Sequence, residues 1–489
     1  MKFSGTTVTT LFTVISPSIL AATGYGGDNH VGFDALSNRG NARIVLRQVR
    51  ETASASGSGI RSSEMTAPQT SSAQAAGSET ATATASFSLH SINPTAIPLS
   101  AINTDEHATS TRQLKHTAAP GATPTFIPDA PALPNAALLK PTDYPPLDQV
   151  PPVDSEQVKM WVEEVKKTGV VIPGLEPSQP GGCSNNSAFA MDSDRCWWTC
   201  GGCTRPTDIV ECPAAMDWGL TYDDGPSLYS SDLLAYLDEV KIKSTFFVVG
   251  SRVISHPDIL QAEYMAGHQI AVHTWSHASL TTLTNEEIIA ELGWTKKVIK
   301  DVLGVTPNMM RPPTGDIDDR VRAISQAMGL TPVMWSRASD TSLFDTDDFN
   351  IRSGKTTAHE VLQNWGAIMK NATSRSSGFI VLAHDLFEQT VQMATGYILP
   401  DALSHQPPFN IQPIISCQEK EMKDAYLETA GSEKNSPIIS EAISSGEVTL
   451  TGSANSAKKT EESKASSASF ITLNIGVWLL LVVTVLMTV

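Results

Sequence analysis

The 489-residue chain is predicted to carry one α/β domain, a distorted and incomplete (β/α) barrel, over residues 205–417. The first reason is that short apolar runs of β type alternate there with helical patterns, which indicates a parallel sheet covered by helices. The second is that there are six or seven such units, which favours barrel-like closure over a flat sheet. The third is that the composition on either side is dominated by small and polar residues, so one packed domain is expected rather than several.

The strands are predicted from runs of apolar and β-branched residues bounded by turn residues. Six strands and a seventh candidate follow one another along the chain: Trp218–Tyr222, Thr245–Val249, Gln269–Val272, Asn308–Met310, Thr331–Trp335, Phe379–Ala383 and, as the seventh, Ile411–Ile415. Reactive groups of such barrels gather at the C-terminal ends of the strands. Polar residues just after each strand are therefore the candidates for a functional site.

Helices are predicted between these strands. The segment Ser231–Lys241 places four apolar residues on one face. Thr284 and Glu287 have the spacing of a capping box, which begins a helix that runs to Leu303. A third helix is expected to end before Gly329, a residue suited to the left-handed C-cap position.

Residues 23–150 are predicted to be a disordered stalk because they are rich in Ser, Thr, Ala and Pro. Such a segment has too few large apolar side chains to offset the entropy of ordering its backbone. An O-glycosylated stalk and an unmodified linker remain alternatives. A helix and a cysteine-rich lead-in are expected over 151–204, and a polar Ser-rich tail over 418–455.

Both ends of the chain have the pattern of targeting segments. Residues 1–22 have the layout of a signal peptide. Residues 456–489 combine a polar spacer with the apolar tail Phe470–Val489, the layout of a glycosylphosphatidylinositol (GPI) anchor signal, with Asn455 as the attachment residue and Ser453 next. A membrane-spanning tail is the alternative. The expected location is secreted and GPI-anchored to the plasma membrane, with transfer to the cell wall left open.

The exported route is consistent with two N-glycosylation acceptor motifs, at Asn185 and Asn371. The six cysteines are expected to form disulfides rather than a zinc ribbon, since Cys196, Cys200 and Cys203 lack a second pair or a nearby histidine. One bridge is predicted to join the cysteine cluster before the domain to Cys417 after it. The remaining pairing is open.

The formal net charge of −17 argues against nucleic acid as a partner. Polar residues follow four of the predicted strands: Asp223 and Asp224, His273 and His277, the loop Arg311–Gly315, and His384. Taken alone, each of these four groups of residues has a structural explanation that is more common than a functional one. An Asp-Asp-Gly-Pro run is usually a turn, and two histidines four residues apart share one face, as metal ligands do, only if they lie on a helical turn. Their joint placement at strand ends predicts a catalytic site.

In order and spacing these motifs resemble the polysaccharide deacetylase family, also called the NodB-homology domain or carbohydrate esterase family four. The matching segments are Thr221–Pro226, His273–His277, Arg311–Gly315, Asp345–Phe349 and Leu382–His384. The stalk, the lead-in and the anchor signal resemble those of fungal chitin deacetylases. The resemblance implies the barrel of this family, and a monomer that acts on chitin or chitooligosaccharides.

The resemblance also implies a role for each residue. Asp224, His273 and His277 would bind a divalent metal, usually zinc, with cobalt as an alternative. Asp223 would be the general base, held by Arg311, and His384 the general acid, tuned by Asp348. The backbone amide of Thr314 would stabilise the oxyanion. Leu382 would line the acetyl pocket with a neighbouring aromatic residue, for which Trp335 is the candidate.

Three alternatives remain at this point. Asp340 could replace Asp348 as the acid of the fourth motif, because the stretch before Asp345 is longer than the family pattern. The domain could bind chitin without catalysis, which the presence of Asp223 and His384 argues against. The substrate could be acetylated xylan, which no motif excludes. Thr314 stands where the family usually has an aromatic residue, so a surface for stacking the substrate is expected to be lost. Phe349 stands where Trp or Tyr is usual, which keeps this wall apolar without a polar group.

Overall fold

The computed structural model describes residues 88–106, 112–339 and 342–431, together with the backbone of two short strands at 33–36 and 43–46. The predicted signal peptide, the GPI anchor signal with Asn455 and the alternative acid Asp340 lie outside the described residues. None of the described helices is long and apolar enough to cross a membrane.

The strands form two parallel sheets and two small antiparallel pairs. Their bounds are β1 (Phe33–Leu36), β2 (Arg43–Leu46), β3 (Asp217–Gly219), β4 (Thr221–Asp223), β5 (Thr245–Val248), β6 (Gln269–Val272), β7 (Met309–Met310), β8 (Thr331–Pro332), β9 (Arg337–Ser339), β10 (Ser342–Leu343), β11 (Phe379–Ile380) and β12 (Asn410–Gln412). One parallel sheet has the order β4-β5-β6-β7-β8 and the other the order β11-β3-β12. The pairs β1-β2 and β9-β10 are antiparallel.

The two parallel sheets are parts of one interrupted barrel. On one side, Asp223 at the end of β4 pairs in parallel with His384. On the other side, the Ser336 N–H, just after β8, donates to the Ile380 carbonyl at 3.0 Å. The chain around β11 therefore lies between the first and last strands of the five-stranded sheet and closes the ring. The predicted distorted (β/α) barrel is confirmed.

The helices cover the outside of this barrel. Their bounds are α1 (Glu156–Lys167), α2 (Gly182–Asn185), α3 (Ser187–Ala190), α4 (Ser230–Val240), α5 (Gly250–Ser255), α6 (Pro257–Met265), α7 (Asn285–Leu303), α8 (Asp319–Ala327), α9 (Ala358–Ala372), α10 (Glu388–Met393), α11 (Leu399–Ser404) and α12 (Ile414–Cys417). The predicted helices correspond to α4, α7 and α8. Thr284 and Glu287 form the capping box at the start of α7, and Gly329 beyond α8 has a φ of 73°.

Four predicted strands differ from the structure: Thr331–Trp335 and Phe379–Ala383 are shorter, as β8 ends at Pro332 and β11 at Ile380, and two others differ in their course. The first divides at Leu220 into β3 and β4, and each half belongs to a different sheet. The seventh, Ile411–Ile415, ends at Gln412, because Pro413 lacks an N–H and the chain turns into α12. The N–H groups of α12 then bond to side chains of the barrel, as when Ile414 donates to the Thr245 hydroxyl at 2.8 Å.

The predicted boundaries of the packed region are wrong. Ile102, Ile127 and Leu133, which fell within the predicted stalk, are buried in the core, as is Tyr426 beyond the predicted end of the domain. These residues are single apolar side chains within Pro-rich or polar stretches. Each of them packs against the barrel as an isolated side chain, so the sequence around it shows no periodic apolar pattern.

All six cysteines are paired, as Cys183–Cys200, Cys196–Cys203 and Cys212–Cys417. The predicted bridge from the cluster to Cys417 is confirmed, and Cys212 is its partner. This bond joins residues 205 positions apart, one just before β3 and the other in α12, which pack together. The zinc ribbon considered for Cys196, Cys200 and Cys203 is excluded, because their sulfurs are used in disulfides.

Candidate active site

The two adjacent carboxylates at the end of β4 have different partners. Asp223 is the last residue of the strand, and its Oδ1 accepts a hydrogen bond from Arg311 Nη1 at 2.7 Å. Asp224 has a φ of 79°, a left-handed conformation that turns the chain out of the strand. Its Oδ1 lies 3.1 Å from His277 Nε2 and 3.4 Å from His273 Nε2. Both side chains are buried. The two neighbouring carboxylates therefore point toward different partners.

Arg311 is fully buried and bridges several strands of the barrel. Its guanidinium donates to the Thr221 hydroxyl at 2.9 Å and to the Val333 carbonyl at 3.2 Å, besides Asp223. It also lies over the ring of Phe247, 4.3 Å from the ring centre. A buried guanidinium has lost its hydration and needs hydrogen-bond partners of this kind in compensation. The orientation of Asp223 is therefore set by a rigid, buried group.

Asp224, His273 and His277 bring together three atoms that could hold a metal ion. One ligand atom from each residue lies within 4.8 Å of the others. His273 Nδ1 lies 2.8 Å from the Arg311 carbonyl, which can only accept, so this nitrogen carries a proton and Nε2 is the atom that faces Asp224. Asp224 Oδ1 is buried and accepts no hydrogen bond. An orphaned carboxylate oxygen beside two imidazoles fits a divalent cation of the zinc class.

The ionisation of these groups also suits a metal. Burial alone would raise the pKa of Asp224, but the imidazoles of His277 and His273 and the guanidinium of Arg252 hold it well below its ordinary value. Burial lowers the pKa of His277, although Asp224 opposes this. A carboxylate and a neutral imidazole are the forms that bind metal ions.

The two histidines do not lie on a helical turn, as their spacing suggested. They follow β6 in an irregular loop in which Thr274 and His277 have φ values of 65° and 61°. The loop is held by Glu291, a fully buried carboxylate in the middle of α7. Glu291 accepts hydrogen bonds from the N–H groups of Trp275 at 2.7 Å and Ser276 at 2.9 Å, and from the Ser276 hydroxyl. Burial raises the pKa of Glu291 to about 7, although these hydrogen bonds act to lower it.

Sequence reasoning missed Glu291 and also Arg252. Arg252 Nη1 donates to the Asp224 carbonyl at 2.7 Å and so fixes the backbone of a candidate metal ligand. Glu291 and Arg252 lie on α7 and α5, and helix-borne charged residues of this kind are commonly solvated. No local signal distinguishes these two from such residues.

His384 and Asp348 form the second charged pair of the site. His384 Nδ1 is 2.7 Å from Asp348 Oδ1, and the His384 backbone N–H donates to Asp348 Oδ2 at 3.0 Å. Burial would lower the pKa of His384, but the carboxylates of Asp348, Asp224 and Asp223 raise it to about 10. The imidazole is therefore held protonated, with its Nδ1 bound to Asp348 and its Nε2 free to donate.

Asp345, the first acid of the fourth motif, has another environment. Its Oδ1 accepts from the Asp347 N–H at 2.8 Å, and burial raises its pKa to about 6. The residue pairs through its backbone with Leu382, so it aligns the two segments. Asp348 is thus the acid that meets the histidine.

A sequence profile described as polysaccharide deacetylase matches residues 211–333. Chitin deacetylase 1 of Cryptococcus neoformans is 51% identical over 344 residues, which are 70% of this chain and 72% of that protein. The chain belongs to the polysaccharide deacetylase family. A chitin deacetylase of Amylomyces rouxii is 44% identical over 207 residues, 40% of this chain and 47% of that protein. The solved structure of the Colletotrichum lindemuthianum chitin deacetylase is 22% identical, with a TM-score of 0.37, over 46% of this chain and 97% of that one.

The profile match includes the first three motifs of this deacetylase and ends before Asp348 and His384. The barrel brings those two residues to the same end as Asp223, because His384 pairs with Asp223 through their backbones. Asp223, the His384–Asp348 pair and the cluster of Asp224, His273 and His277 therefore lie at the same end of the barrel.

The residues predicted to line the substrate differ in their exposure and surroundings. Thr314 is exposed and has a φ of 54°, in a loop stiffened by Pro312 and Pro313. Leu382 is buried two residues before His384. Trp335 is also buried, with its ring 4.5 Å from that of Trp198 in the cysteine-rich lead-in, which places it behind the Arg311–Gly315 loop.

An additional apolar residue lies at the site. The ring of Phe349 is 5.4 Å from that of His384 and 5.4 Å from that of Phe387. Its position beside the acid pair makes it a wall of the site.

The two glycosylation acceptors stay predictions. Asn185 is exposed and donates to the Pro180 carbonyl at 2.9 Å. Asn371 lies at the end of α9 and donates to the Ala367 carbonyl at 3.0 Å.

Proposed function

We propose that this protein hydrolyses the N-acetyl groups of chitin in a metal-dependent reaction, which yields acetate and free glucosamine amines. The observation that carries the proposal is the separation of the two buried carboxylates, with Asp224 directed at two histidines and Asp223 at Arg311. Binding a metal needs Asp224 but not Asp223. A retained, oriented Asp223 therefore supports hydrolysis rather than binding alone. The choice of chitin is supported by the names of the relatives.

Asp224, His273 and His277 would hold the metal, for which zinc suits the donor set and cobalt is the alternative. A bound metal of this kind acidifies water and polarises an acetyl carbonyl. The chain's contribution is to present two imidazole nitrogens and one carboxylate oxygen close together. The bond from His273 to the Arg311 carbonyl fixes the orientation of the first imidazole.

Asp223 would act as the general base. Its Oδ1 is engaged by Arg311, while its Oδ2 lies 3.8 Å from His273 Nε2 and so faces the metal-ligand cluster. That oxygen is placed to accept a proton from an attacking water. Arg311 holds the carboxylate in position for this step.

His384 would act as the general acid. The proton on its Nε2 would pass to the departing amine nitrogen as the bond from that nitrogen to the acetyl carbon breaks. Asp348 holds the other ring nitrogen and compensates the positive charge before transfer. The backbone amide of Thr314 would stabilise the oxyanion, and Leu382 with Trp335 would bound the acetyl methyl group.

The disulfides and the fungal relatives fit an extracellular or cell-surface protein. We propose in addition that it is a secreted monomer, attached to the plasma membrane through a GPI anchor at Asn455 or passed on to the wall. Release of the protein from intact cells by a phosphatidylinositol-specific phospholipase tests this. Protein that stays in the membrane fraction after such treatment would contradict the anchor, whereas protein that stays in the wall would fit transfer.

The central experiment follows acetate release from N-acetylated chitooligosaccharides by the purified full-length chain supplied with zinc. Asp223→Asn is the matched control, because it keeps the shape of the side chain and removes the base. We expect a loss of about 10²–10⁴ in kcat, with metal content unchanged. Wild-type protein that releases no acetate, or a variant as active as the wild type, would contradict the function. Acetate release from acetylated xylan but not from chitooligosaccharides would show that acetylated xylan is the substrate.

A further inference from the structure

A short segment far upstream of the barrel lies against the metal-binding loop. Trp275, which stands between His273 and His277, is fully buried, and its ring stacks on that of Tyr144 at 6.0 Å with an interplanar angle of 6°. Its indole N–H donates to the Pro146 carbonyl at 3.0 Å. The loop therefore packs its central side chain into a surface that the N-terminal segment supplies.

The same segment also holds the neighbouring turn. Asp148 Oδ1 accepts a hydrogen bond from the Ser251 hydroxyl at 2.9 Å. The Ser251 N–H in turn donates to the Trp275 carbonyl at 3.1 Å. Residues 144–148 thus hold Trp275 through its ring, through its indole nitrogen and, by way of Ser251, through its backbone.

The segment is in turn fixed to α7. The Tyr144 hydroxyl donates to Asp301 at 2.5 Å, and the ring of Trp294 meets the Tyr144 ring edge-on at 6.0 Å. From the inner side, Glu291 of the same helix binds the backbone of the loop at Trp275. The loop is therefore clamped between α7 and residues 144–148.

The loop that carries His273 and His277 has a strained backbone, so it needs contacts from outside the loop to keep its conformation. Thr274 and His277 have positive φ values, which cost free energy for residues other than glycine and persist only where the surroundings impose them. Metal affinity depends on how well the ligands are preorganised, and partners that orient ligands contribute about 10- to 100-fold.

We propose that Tyr144, with the segment 144–148, is a positioning element of the metal site. It holds Trp275 and thereby sets the placement of His277 relative to His273 and Asp224. This inference rests on the proposed metal-dependent function. It also means that the metal site extends outside residues 211–333, the part matched by the family profile.

The test compares Tyr144→Ala with Tyr144→Phe in the full-length, metal-stripped protein. Tyr144→Phe keeps the ring against Trp275 and removes only the hydroxyl bond to Asp301. Zinc affinity is measured by competition with a chromophoric chelator. We expect Tyr144→Ala to weaken zinc binding about tenfold or more and Tyr144→Phe to stay within about threefold. At saturating zinc, the acetate release of Tyr144→Ala should recover.

A purely structural role would lower the unfolding temperature of Tyr144→Ala and leave its zinc affinity unchanged, and that result overturns the proposal. If this variant does not fold, Trp275→Phe replaces it, because it loses the indole bond to Pro146 and keeps an aromatic ring. Zinc affinity equal to the wild type in Trp275→Phe would equally overturn it. Wild-type protein that binds no zinc would instead refute the proposed function itself.

Discussion

Replacing Asp348 by Asn should change both the pH dependence of catalysis and that of stability. The carboxylate binds His384 through its ring nitrogen and its backbone N–H, at 2.7 Å and 3.0 Å. Asn has nearly the same shape but no charge, and only one of its two terminal atoms can accept. The substitution therefore removes the group mainly responsible for holding His384 in its protonated form.

The magnitude follows from the shifted pKa. Burial works against the imidazolium, yet its carboxylate neighbours raise the pKa of His384 from 6.5 to about 10. A rise of this size corresponds to at most about 5 kcal/mol of stability. Because the folded-state pKa is raised, this contribution is fully present below pH 6.5 and is lost as the pH rises through about 10.

Two assays check this reasoning. In metal-free protein, urea unfolding should show Asp348→Asn to be less stable near pH 6, and the difference should shrink toward pH 10. In zinc-loaded protein, the alkaline limb of kcat/KM should move to lower pH in the variant, since a neutral His384 cannot protonate the leaving amine. A stability difference independent of pH, together with an unmoved alkaline limb, would refute the assignment of His384 and Asp348.

Four further outcomes are expected. Gly225→Ala would place a Cβ 2.4 Å from Asp385 Oδ2, so its urea midpoint should fall by the equivalent of about 1–3 kcal/mol, and an unchanged midpoint would contradict this packing. Replacing Cys212 and Cys417 together by Ala should cost about 5 kcal/mol in guanidinium unfolding, because the bridge closes a loop of 205 residues. Chelation should abolish acetate release, and zinc should restore it; activity that survives exhaustive chelation would exclude a metal. Asn371→Gln should increase the gel mobility of secreted protein by one glycan, and identical mobility would show that the acceptor is unused.

The sequence predicted the catalytic centre better than the limits of the packed region. Asp223, His273, Arg311 and His384 each follow a recognisable strand, and parallel strands of a barrel end on the same side, so placing each residue locally was enough to bring them together. The capping box at Thr284 was equally local. The bridge to Cys417 followed from the location of that residue just beyond the domain.

The predictions were wrong where a single side chain or backbone group makes its contacts with residues far away in the sequence. The stretch beyond Gln412 looked like a strand, because Ile414 is apolar and the barrel side chains that receive the N–H groups of α12 lie far away in sequence. Residues before 150 looked uniformly disordered, because Ile127 and Tyr144 occur singly among prolines and polar residues.

By itself, the sequence determined the fold class, most of the strands along the chain and the residues of the candidate site. Those properties depend on periodicity, caps and short motifs, which span a few consecutive residues. Only the tertiary structure decided which buried groups hold the histidine loop, because Glu291 and Tyr144 reach Trp275 across 16 and 131 positions of the chain. Contacts over such distances depend on how the whole barrel packs, and the residues that make them have no distinguishing local pattern.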